Sequence, residues 1–223
     1  MVGKNKYRRT DIASFVTAYK SEREADRRYA SFDYCFNHFS DFRHSGADIE
    51  KSCLALGFYL ASWGMYRGKS FMLQTSAKHL LPTVEYIHSL DKSYWKIDVN
   101  SYNTNNIEVL LEVYEKLRST LKCKNSAHLT LVTKIMLGVF GNVPAYDRYF
   151  CQTLKNVFID ECTFGRFSKQ SLHCLHEFYL ANEKVLTALS QRINTIDFIS
   201  AKPTKRHYSL AKIIDMYGFT KRI

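Results

Sequence analysis

Three prolines and nine glycines are spread over 223 residues, and this shortage of chain breakers constrains the fold more than any other feature. A chain with so few forced turns runs in long segments, and long segments with a repeat near 3.6 are helices. The repeat is present. Ile12, Phe15, Val16 and Tyr19 share one helical face behind a Thr10 or Asp11 cap. Phe32, Cys35, Phe36, Phe39 and Phe42 form a second, aromatic face that ends at a His44-Ser45-Gly46 turn. Residues 48–63 make the most apolar helix, followed by a turn over 64–70.

Further along, residues 71–81 read as a helix stopped by Pro82, 83–90 as a short helix, and 91–106 as an Asn-rich loop. Ile107 to Leu121 is amphipathic, with Lys116, Arg118 and Lys122 on its polar side. Ser126 is placed to cap the next helix, which Gly141 ends. Asp147 starts another, and Ser168 caps a long one. Residues 194–200 read as a short extended piece, and 208–217 as the last element. No strand–helix alternation or repeat of 20–50 residues emerges. The expectation is an all-α, compact multi-helix domain, either one unit or two interleaved lobes (1–105 and 106–223) around a cleft. The 46% apolar fraction is ample for a core.

Charge narrows the partner. The formal net charge is +11, which suits a polyanion because phosphates release counterions on neutralisation. Residues 116–134 hold five basic side chains and no acidic one, and 202–222 hold six against Asp215. DNA is the expected partner. No run approaches the ~20 apolar residues of a membrane span, and no apolar stretch follows the basic start. The six scattered cysteines, none in a Cys-x-x-Cys pair, read as reduced thiols. These features lead to an expected cytoplasmic location, no membrane partner, no metal and no cofactor. Oligomeric state is not legible.

Two motifs imitate known chemistry. Residues 64–70 approximate a phosphate loop but are one residue short and lack a preceding strand. His173, Cys174, His176 and Glu177 crowd one helix, yet histidines three apart do not match the i, i+4 spacing of a zinc helix.

The segment 133–150 is different. A helix carrying Lys134 leads into a tight Gly141-Asn142-Val143-Pro144 turn, and Asp147 stands where the next helix begins. A carboxylate there is held by backbone amides and kept ionised by the helix dipole. In a walled cleft it stabilises a sugar cation or aligns a water, as cleavage of a base from deoxyribose requires. A desolvated Lys134 amine is a candidate nucleophile for C1′. The structural alternative is a plain helix cap and a solvated lysine.

This order of Thr-Lys helix, small-residue turn and Val-Pro-x-x-Asp resembles the core of the helix-hairpin-helix DNA glycosylase superfamily, through Lys134, Val143, Pro144 and Asp147. The resemblance covers about twenty residues and implies an all-helical enzyme that excises a damaged or modified base, in repair or in defence against phage. The chain departs from the family in three places. Ala127-His128-Leu129-Thr130-Leu131-Val132 stands where a Gly-hydrophobic-Gly hairpin is expected, the Lys–Asp spacing is short, and iron–sulfur cysteines are missing. Asp147 matches best, so the expectation is a monofunctional N-glycosylase. Trp63, Tyr66, Asn142 and Tyr146 are the candidates for holding an extruded base, and Arg67, Lys69 and Arg148 for contacting phosphate. The rival readings are a non-catalytic nucleic-acid-binding protein and a protein-interaction module of a defence or toxin system.

Overall fold

A computed structural model describes residues 6–45, 48–121 and 128–220. Among them are nine α-helices: α1 (Ile12–Ser21), α2 (Ser31–Ser45), α3 (Ile49–Ser62), α4 (Leu81–Ser89), α5 (Thr104–Thr120), α6 (His128–Phe140), α7 (Arg148–Val157), α8 (Lys169–Arg192) and α9 (Leu210–Thr220). One antiparallel hairpin joins β1 (Asn194–Ile196) to β2 (Pro203–His207).

Two helices are buried on every side. All residues from Leu131 to Phe140 of α6 are buried, as are those from Leu210 to Phe219 of α9. A helix apolar all round belongs in a core, and the others wrap these two. Helix α6 packs on α2, α3 and α5, while α9 packs on α1, α7 and α8. Gly138 lets α3 approach α6. A Cβ at that position would meet the Tyr59 ring at 2.3 Å.

Local chemistry explains most boundaries. Asp48 caps α3 through the Lys51 amide, and Ser168 and Ser171 form a reciprocal cap on α8. Gly64, at φ +77°, follows α3 in a Schellman turn. The Met65 amide donates to the Leu60 carbonyl and the Gly64 amide to that of Ala61. The segment resembling a phosphate loop is therefore a helix C-terminus with no strand before it. Gly141, at φ +66°, ends α6. The expected Ser126 cap, and the Gly46 and Lys122 positions, lie outside the described residues.

The 71–81 expectation is corrected. Two 3₁₀ turns, Phe71–Gln74 and Ala77–Leu80, occupy it, and Pro82 stands in the first turn of α4 rather than ending a helix. Proline lacks the amide that the first turn leaves unused anyway. The Asn-rich stretch also holds short 3₁₀ turns. There Asp98 reaches α9, accepting from the Leu210 and Ala211 amides at 2.7 and 2.9 Å. Buried Asp33 pins the hairpin to α2. It accepts from Arg23 at 3.1 Å, the Ile196 amide at 3.0 Å and the Tyr208 hydroxyl. No helix among the described residues is long and apolar enough to cross a membrane.

Candidate functional site

The turn before α7 is tied at almost every residue. The Tyr102 hydroxyl donates to the Asn142 carbonyl at 2.6 Å. Asp215, on α9, accepts from the Ala145 amide at 3.1 Å. Thr133 accepts from the Tyr146 amide, and Thr130 donates to the Tyr146 carbonyl, both at 2.9 Å. The two central helices therefore fix the backbone immediately before Asp147.

Asp147 divides its carboxylate. One oxygen, Oδ1, accepts from the Tyr149 and Phe150 amides at 3.0 Å each, which is an N-cap. The other, Oδ2, stands 3.4 Å from the Lys134 ammonium. The lysine side chain is 6% exposed and that of Asp147 14%, so the pair is screened little by water. Deeper in the fold, Lys212 pairs with Asp215 at 2.8 Å and donates to the Tyr19 hydroxyl at 3.0 Å.

Above the Lys134–Asp147 pair opens a cavity of about 540 Å³, within the 300–1,000 Å³ range of ligand sites. Its lining includes Arg28, Trp63, Arg67, Lys134, Asp147 and Arg148. Five residues singled out from sequence thus converge here: Lys134, Asp147, Trp63, Arg67 and Arg148.

Four others do not line it. Asn142 is fully buried and Tyr146 almost so, stacked on Phe150 with its hydroxyl on Ser171 at 3.1 Å. The turn directs these two side chains into the core. Tyr66 is half-buried and packs toward Gly57, while Lys69 is exposed past the turn. Proximity in sequence to a turn does not decide which way a side chain points.

Trp63 forms a wall of the cavity, with much of its ring already covered. Tyr19 stacks parallel to it, Phe219 and Tyr29 meet it edge-on, and the Lys134 ammonium lies 5.0 Å from its centre. Its indole N–H is buried without a hydrogen-bond partner. Trp63 is thus a platform for cations. The exposed aromatic at the mouth is Tyr149, 42% accessible.

Sequence reading missed Tyr149, Arg28, Thr130, Phe219 and Asp215. Arg28 and Phe219 reach the cavity through packing between distant elements, and Thr130 stands one turn from Lys134 on α6.

Among the described residues no cysteine lines the cavity. Burial, with Asp147 adding repulsion, pushes the Cys151 thiol up to about 12. Burial likewise holds Cys174 near 12. His176 bonds the Val99 carbonyl at 2.8 Å and His173 is exposed. No group of three or more His, Cys, Asp or Glu suited to a metal occurs among the described residues. The chain matches no protein-family model, and no similar curated protein or solved structure was found.

Proposed function

We propose that the protein is a DNA glycosylase-like hydrolase that removes a damaged or modified base from DNA, with Asp147 as the catalytic carboxylate. The supporting observation is the divided carboxylate. Oδ1 is spent on the α7 cap, and Oδ2 stands on the floor of a basic cavity, held by Lys134.

The chemistry follows from that placement. The C1′–N bond breaks, its electron pair leaves with the base, and C1′ becomes oxocarbenium-like. Asp147 Oδ2 stabilises the cation at fixed geometry. A water adds to C1′ and gives a proton to the carboxylate or solvent, and the departing base takes up one proton. The products are a free base and an abasic sugar.

Lys134 acts in this scheme as the ammonium that orients Asp147. In this scheme it forms no bond to C1′, and the strand is not cut. The basic surroundings favour the DNA partner over a protein partner.

The test is incubation with duplexes carrying single lesion or modified bases, followed by alkali. Breaks that appear at the substituted base only after alkali support a monofunctional glycosylase. Salt-dependent binding with no breaks across the panel overturns the hydrolase and leaves a nucleic-acid-binding protein.

A further inference from the structure

The cavity holds one carboxylate and four cations: Asp147 against Arg28, Arg67, Lys134 and Arg148. Lys134 alone among the four has a carboxylate partner. Arg28, Arg67 and Arg148 are exposed, and none belongs to an ion pair among the described residues.

Some arginines elsewhere find carboxylates, while Arg8, Arg9, Arg166 and Arg192 belong to no ion pair among the described residues. Arg23 pairs with Asp33, Arg118 with Glu115 and Arg206 with Asp41. The contrast is sharpest between neighbours. Arg27 takes both Glu22 and Glu24, at 3.0 and 3.2 Å, whereas Arg28 lies over the Trp63 ring at 5.5 Å. Arg67 folds across Gly64, where a Cβ would stand 2.7 Å from its Nε. Arg148 opens α7 beside Asp147.

Three arginines from distant parts of the chain therefore meet at one concavity whose single carboxylate, Asp147, is paired with Lys134 and with none of them. Like charges gathered at a low-dielectric wall raise the local potential and favour an anion. Planar guanidinium forks match phosphate oxygens bidentately.

We infer that Arg28, Arg67 and Arg148 form a phosphate clamp, so that the cavity takes its ligand as a nucleotide with phosphate attached and rejects the free nucleoside. The inference rests on the nucleic-acid reading of this cavity, but not on the hydrolytic role of Asp147. The clamp holds the backbone on either side of the sugar while Asp147 faces C1′.

The test uses an 11-base-pair duplex with a central tetrahydrofuran abasic site, which carries the phosphates and no base. Anisotropy is read for wild type, R28Q, R67Q and R148Q over a salt series, with K205Q as an exposed basic control on the hairpin. Each clamp variant is expected to weaken binding about 5- to 30-fold and to lower the salt slope by about one, with K205Q within about twofold. In a second arm, thymidine monophosphate should bind at lower concentration than thymidine, and R28Q should erase the difference. All three clamp variants binding as wild type, or thymidine binding as well as its monophosphate, overturns the clamp. Base release is assayed in parallel. A protein that releases no base yet shows these losses keeps the clamp and loses the hydrolase. One that releases base with unaffected arginine variants does the reverse.

Discussion

Removing either partner of the Lys134–Asp147 pair should have very unequal consequences. Lys134 is 6% exposed, and Asp147 is the carboxylate that meets it. Asp147→Ala strands a buried ammonium, which costs about 3–5 kcal/mol, and loses an N-cap, about 1 kcal/mol. Lys134→Met keeps the side-chain volume and leaves Asp147 with its two amide donors and some access to water. It forfeits the contact with Trp63, roughly 0.5–1 kcal/mol, and little else. In the Lys134→Met background Asp147→Ala should then cost only the cap. The coupling between the two substitutions is therefore about 3 kcal/mol, large for a pair in contact. Urea unfolding of the four proteins measures it. For a chain of this size, Asp147→Ala should lower Tm by roughly 10 °C or more. Equal losses in the two single variants, or additivity in the double, would refute the buried-pair argument.

Two further outcomes follow from packing and burial. Gly138→Ala sets a methyl against the enclosed Tyr59 ring at 2.3 Å. The overpacking, about 1–3 kcal/mol, outweighs the gain in helix propensity, and thermal melting should show a fall of several degrees, where a rise would contradict the close approach of α3 and α6. For Asp33, burial raises the carboxyl to about 6, opposed by the Arg23 charge and the Tyr208 and Ile196 hydrogen bonds. Because the folded value lies above the unfolded one, the proton-linked stability is complete below about 4 and is lost as pH rises through about 6, roughly 3 kcal/mol in all. A carboxyl NMR titration should find the Asp33 midpoint near 6, and a midpoint below 4 would contradict its desolvation.

Much of the helical plan was legible because it depends on local rules. The 3.6 period locates α1, α2, α3, α5, α6 and α8, and Gly141, Asp147 and Ser168 mark the ends they were expected to mark. Pro82 misled because proline stops a helix before it and also suits a helix start, and only the neighbouring packing selects between these. Strand β2 was invisible. Its exposure alternates over only five residues, and its partner β1 is held by Arg23 and Asp33, far away in the chain.

The site divided along the same line. Lys134, Asp147 and Arg148 lie within one helix–turn–helix, where spacing carries information, and they meet as that spacing implies. Tyr146 and Asn142 share the turn but face inward, because Thr130, Thr133 and Tyr102 fix its backbone. Arg28 joins through α2 packing on α3 and α6, a contact no local pattern encodes.

If the Asp147 carboxylate drives base release, replacing it with its neutral isostere stops the reaction. Asp147→Asn keeps an oxygen for the Tyr149 and Phe150 amides while removing the charge. Single-turnover base release by this variant and by wild type should be measured on the same modified duplex, alongside binding to the abasic analogue. Release is expected to fall about 100-fold or more with binding within about threefold, since phosphate contacts are untouched. Release at the wild-type rate by a folded Asp147→Asn protein would contradict that role of Asp147.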